Sequence, residues 1–225
     1  MTLRQIDTRN NFLYLLIALV AILFSSAVAD DFPGSLGEDL FSLVSLLMLI
    51  VGIKSLRYEV SIQRIAYTLV VILGGLTLLW RFYPGRITAL LILATFLLIF
   101  VSAFKLSVRQ ILFEGRVDAN KIIGSLSLYL LIGLIWTILY LMLLTFDPSA
   151  FHGIEMNGWR TLFSRMAYYS FVTLTTLGYG DITPANHVAE FLAYMEAVTG
   201  VFYMAIFVSS LINRGREDSR HQEGE

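Results

Sequence analysis

The string Thr175-Thr176-Leu177-Gly178-Tyr179-Gly180-Asp181 has the residue types and spacing to hold a bare cation on its main chain. A dehydrated potassium ion needs about eight oxygen ligands, and stacked rings of backbone carbonyls supply them when successive carbonyls point to one axis. Extended backbone alternates its carbonyls, so one residue in two must take a mirror-like conformation, which glycine adopts without steric cost. Gly178 and Gly180 alternate with Leu177 and Tyr179, and the Thr176 hydroxyl can complete the innermost ring. One copy supplies one quarter of each ring. A closed homotetramer is therefore expected, with K+ at Thr176, Leu177, Gly178 and Tyr179 and no other metal or cofactor. In isolation Leu-Gly-Tyr-Gly is equally a glycine turn, so its surroundings decide.

Those surroundings are apolar. The 225 residues are 57% hydrophobic and 15% charged, against roughly 25% charge in soluble domains, and the mean hydropathy is +0.73. Charge-free runs cover Asn10 to Ala29, Leu40 to Ile53, Ile65 to Trp80, Ile87 to Phe104 and Ile122 to Phe146. Several approach the roughly 20 residues a helix needs to cross about 30 Å of hydrocarbon. This excludes a soluble enzyme with one sizeable core. With 16 Lys and Arg against 17 Asp and Glu, no basic surplus argues for nucleic acid. The absence of cysteine excludes disulfides, thiolate metal sites and cysteine nucleophiles.

A sixth apolar segment, about His187 to Asn213, contains Glu190 and Glu196. The expectation is an all-α membrane protein with six transmembrane helices and both termini in the cytoplasm. Arg4, Arg9, Lys54, Arg57, Arg64, Lys105, Arg109, Arg116, Lys121, Arg214, Arg216 and Arg220 then lie inside, and Arg81, Arg86, Arg160 and Arg165 outside. Twelve against four satisfies the positive-inside rule. Ala27-Val28-Ala29 imitates a signal-peptidase site, but the uncharged run before it exceeds the usual 7–15 residues, so a retained first helix is expected.

The string that opened the argument falls in the outer segment Asp147 to Asn186, too long for a simple connection. Ser164 can cap a short helix, and the apolar run Met166 to Leu177 is too short to cross the bilayer before the glycines. A re-entrant pore helix with a filter loop follows, since non-helical backbone at membrane depth must face protein or a water-filled pore. The expected organisation is a four-helix membrane domain at 1–104, an interfacial amphipathic linker at 105–121, a pore domain at 122–213 and a short cytoplasmic tail at 214–225.

Thr176-Leu177-Gly178-Tyr179-Gly180 resembles the Thr-Val-Gly-Tyr-Gly filter of the potassium channel family. Ala167-Tyr168-Tyr169-Ser170-Phe171-Val172-Thr173 is similar to that family's pore helix with its aromatic pair. Pro184 follows the filter as in many members, and Gly200 lies where the inner-helix hinge glycine commonly falls. The resemblance covers about Ile122 to Asn213. It implies a membrane channel, in the plasma membrane, conducting K+ passively, with Thr175, Asp181, Tyr168, Tyr169 and Val172 supporting the filter. Leu177 replaces the usual valine, and Val172 stands where some bacterial members place a glutamate that bonds the aspartate after the filter; a Tyr168 hydroxyl is a candidate substitute partner for Asp181, the alternative being that Tyr168 packs in the aromatic cuff.

Other residues divide by position. The run Ile87 to Phe104 has no basic residue, and each charge moved yields only about 2.3 kcal/mol per 100 mV, so strong voltage gating is not expected. Glu196 lies four residues before Gly200 on nearly the same helical face, and is either a tuner of filter or hinge through Thr173 or Thr175, or a satisfied structural carboxyl. Met204, Val208 and Ile212 recur every four residues and can line a cavity and inner gate, or pack on the fifth helix. The alternatives to a K+-selective channel are a non-selective cation channel on the same scaffold and a transporter or membrane sensor. No nucleophile, base and orienting group assemble with motif spacing, so no enzyme is expected.

Overall fold

In a computed structural model, residues 11–28, 35–56, 60–113, 119–155 and 159–205 are described. The apolar runs form helices because a chain in hydrocarbon must satisfy its own N–H and C=O groups, and a helix does so within one segment. They are α1 (Asn11–Val28), α2 (Ser35–Ser55), α3 (Val60–Phe82), α4 (Arg86–Phe113) and α5 (Ala119–Phe146). After them come α6 (Trp159–Leu174) and α7 (His187–Tyr203). Hydroxyls inside the helices bond back to their own turns: Thr95 Oγ1 to the Leu91 carbonyl at 2.7 Å, and Thr137 Oγ1 to that of Gly133 at 2.7 Å. Such bonds let polar side chains sit among apolar ones without an unmet donor.

Among the described residues, four stretches are long and apolar enough to cross a membrane: Asn11–Val28, Ile62–Phe82, Arg86–Ile111 and Asn120–Phe146. The chain is thus an all-α membrane protein. By the same measure α2 and α7 do not qualify among the described residues. Glu38, Asp39 and Lys54 sit within α2, while α7 has 17 residues and carries Glu190 and Glu196. The boundary after α4 also differs from the pattern of charges. Lys105 to Phe113 continues α4 rather than forming a separate interfacial piece, because Leu106, Val108 and Ile111 keep the helical apolar spacing across Lys105 and Arg109.

The helices share one core. Leu15 and Leu19 of α1, Leu49 and Ile53 of α2, Phe100 of α4 and Leu131 of α5 are all buried in it. The first helix is pinned directly to the fifth: the Phe12 N–H donates to Asn120 Oδ1 at 3.2 Å, and Ser127 Oγ to the Phe12 carbonyl at 3.3 Å. A short two-stranded sheet follows α5, with β1 (Phe151–His152) antiparallel to β2 (Thr183–Pro184), Phe151 opposite Pro184 and His152 opposite Thr183. It closes the loop between α5 and α7, so the segment carrying α6 and the glycine string is held at both ends.

Candidate functional site

The sixteen-residue α6 stops at Leu174, and its length of about 24 Å falls short of a bilayer core. The last carbonyls of α6 are taken up by the turn that follows. Thr176 N–H donates to the Thr173 carbonyl at 2.9 Å, and the Val172 carbonyl accepts from Leu177 N–H at 2.9 Å and Gly178 N–H at 3.3 Å. Thr175 turns its hydroxyl back to the Phe171 carbonyl at 2.7 Å. The backbone then alternates: φ is +58° at Thr176, +59° at Gly178 and +78° at Gly180, with no positive φ at Leu177 or Tyr179. Reversal at every second residue turns successive carbonyls toward the same side. Glycine spacing identified two of these positions; Thr176 is the third, a β-branched residue in a region such side chains rarely occupy.

Thr175 through Asp181 are exposed in the single chain, including Leu177 at 55% and Tyr179 at 65%. Behind them the support is specific. Tyr168 stacks on Tyr179 at 6.5 Å with the rings 7° from parallel. Desolvation, then a hydrogen bond to the Asp181 carboxylate, pushes the Tyr168 hydroxyl above its usual range. Tyr169 is buried in an aromatic cluster, 5.0 Å from the Tyr140 ring and 5.3 Å from that of Phe151, all edge-on. Val172 contributes its carbonyl to the turn while its side chain is half-buried. Gly153, at φ +80°, lies so close to the Asp181 carbonyl that a Cβ would stand 2.0 Å from the oxygen. Nothing in the spacing of Gly153 marked it, because its partner is 28 residues away.

Glu196 of α7 is wholly buried. Its Oε1 lies 2.5 Å from Ser170 Oγ of α6, and its Oε2 accepts from the Tyr140 hydroxyl of α5. The expected pore-helix hydroxyls were Thr173 or Thr175. The structure replaces them with Ser170, because α7 crosses α6 one turn earlier and Thr175 is committed to Phe171. Ser170 Oγ also approaches the Gly133 carbonyl at 2.7 Å, so the site joins α5, α6 and α7. Gly200 is buried against the end of α6. Tyr129 of α5 donates to the same Leu174 carbonyl at 3.2 Å. Met204 is 56% exposed, whereas Val208 and Ile212 lie outside the described residues.

The corner between α5 and α7 is set by Asp147, just after α5. Its carboxylate accepts from the Ser149 hydroxyl at 2.6 Å, the Ser149 N–H at 3.0 Å and Asn186 Nδ2 at 2.7 Å. These bonds hold it below the usual carboxylate range, the Ser149 hydroxyl contributing most. Asn186 in turn caps α7 through the Ala189 N–H at 2.8 Å.

A short helix, a reversing main-chain turn and a following helix braced by a buried carboxyl define an ion channel domain within an all-α membrane protein. Residues 124–217 match the family described as "Ion channel". Over 70 residues the chain is 37% identical to two-pore potassium channel 4 of Arabidopsis thaliana, covering 31% of this chain and 22% of that relative. This stretch of the chain is thus similar to ion channel domains, a potassium channel among them. The matched stretch spans about a fifth of the relative's length. No solved structure gives a significant match.

Proposed function

We propose that the chain is one subunit of a K+-selective channel of the plasma membrane, conducting passively through a pore shared by four copies. The observation that carries this reading is the alternation of positive φ at Thr176, Gly178 and Gly180, directly after the short helix α6. Carbonyls turned to one side form complete rings only when several chains meet on an axis, and K+ then exchanges water for the main-chain oxygens of Thr176, Leu177, Gly178 and Tyr179. In this reading α6 is re-entrant, α2 and α7 also cross, and Gly180 and Asp181 face the outer mouth.

Two further observations support it. The exposed face of α7 carries Phe191, Tyr194, Val198, Val201 and Phe202, a surface suited to neighbouring subunits. The middle of α4 from Ile87 to Phe104 lacks the charges a voltage sensor moves. The test is K+ flux from protein reconstituted in liposomes, repeated with Na+, alongside the particle mass in detergent. Tetramers that pass K+ and exclude Na+ are expected. Equal permeation makes it a non-selective cation channel, and a monomer without flux overturns the channel reading.

A further inference from the structure

Away from the pore, α2, α3 and α4 border an open groove of about 600 Å3, inside the range of roughly 300–1,000 Å3 typical of small-molecule sites. Leu43, Leu46, Leu78 and Ile92 form apolar walls. Asp39 and Arg81 line it as well, paired at 2.8 Å with both side chains more than half exposed, so the charged end is open. The opposite signs stand side by side where α2 begins and α3 ends.

We propose that this groove binds one zwitterionic glycerophospholipid. Its phosphate sits on Arg81 and its ammonium on Asp39, and one acyl chain runs along Leu43, Leu46, Leu78 and Ile92. The charge pattern selects the head group. An anionic lipid satisfies Arg81 but meets Asp39 as a like charge, whereas a zwitterion complements both. Because binding depends on the membrane domain and not on K+ selectivity, failure of either reading leaves the other distinguishable.

The test is native mass spectrometry of the purified full chain titrated with phosphatidylethanolamine and, separately, phosphatidylglycerol. One phosphatidylethanolamine per chain is expected, bound about tenfold more tightly than phosphatidylglycerol. Gly74→Leu fills the space: a Cβ there meets only Leu46 Cδ1 at 3.8 Å, and leucine is the better helix former. It should lower phosphatidylethanolamine binding by about tenfold while the helical circular dichroism is kept. Ser42→Leu, from the facing helix, gives the same readout should Gly74→Leu fail to fold. Asp39→Asn should bring the two lipids to equal affinity. Undiminished binding in both filled variants, a preference for phosphatidylglycerol, or cross-linking of Leu78 to a second copy overturns the proposal.

Discussion

Gly200 of α7 touches the carbonyl of Leu174, the last residue of α6, so closely that a Cβ at position 200 would stand 2.0 Å from that oxygen. Helix α7 therefore uses this glycine as a notch for the end of α6. Its main-chain torsion is helical, and what demands glycine is space. Gly200→Ala must push α6 and α7 apart, at the roughly 1–3 kcal/mol typical of overpacking. A lowered melting temperature together with reduced K+ flux is expected; an unchanged melt with altered open probability would instead make position 200 a pure hinge.

Gly178 and Gly180 differ from Gly200 because a Cβ at either finds no atom within 4 Å. Substitution there leaves packing intact and strains only the backbone, by about 1–2 kcal/mol per residue in the left-handed region. Gly178→Ala should retain helical circular dichroism and chain assembly while K+ flux falls by at least about tenfold. Loss of folding in parallel with flux would count against a purely conformational role.

The buried carboxyl of Glu196 ties three helices through Ser170 and Tyr140. Glu196→Gln keeps the size and two hydrogen-bonding groups, so a small loss of stability is expected. Glu196→Leu leaves the Tyr140 hydroxyl buried and unpaired, costing about 1–3 kcal/mol. Tyr140→Phe in the Leu background should recover part of that loss, which a thermal melt of the double variant measures. Equal melts for the Gln and Leu variants would remove the hydrogen bonds from the account.

Asp147 sets a pH dependence with a definite sign. Its folded carboxyl is held below its unfolded value, chiefly by the Ser149 hydroxyl. Stability from those bonds is therefore present above the unfolded value of about 4 and is lost as pH falls through the lower folded value. The corner joining Asp147 to Asn186 should loosen in acid, seen as faster hydrogen exchange at Ala185, whose N–H donates to the Ala150 carbonyl at 2.8 Å. In Asp147→Asn the acid-induced part of that change should disappear.

The local requirements were legible in the chain itself. Hydropathy marked the helical segments, and the alternation of Gly178 and Gly180 marked where the backbone must reverse, because both signals depend only on a residue and its neighbours. The positive φ of Thr176 was not legible, because no threonine advertises it, nor was the role of Gly153, whose partner is remote.

What the fold decided are the contacts between elements. Glu196 could have met any pore-helix hydroxyl; the crossing of α7 over α6 chose Ser170 and added Tyr140 from α5. Gly200 carries the same letter as a hinge would, and only the approach of the Leu174 carbonyl reveals a packing notch. Asp39 and Arg81 lie 42 residues apart and became neighbours when α2 and α3 aligned their ends. Torsional preference and hydrophobicity are properties of single residues and so can be read along a chain, whereas proximity belongs to pairs and exists only after helices have packed.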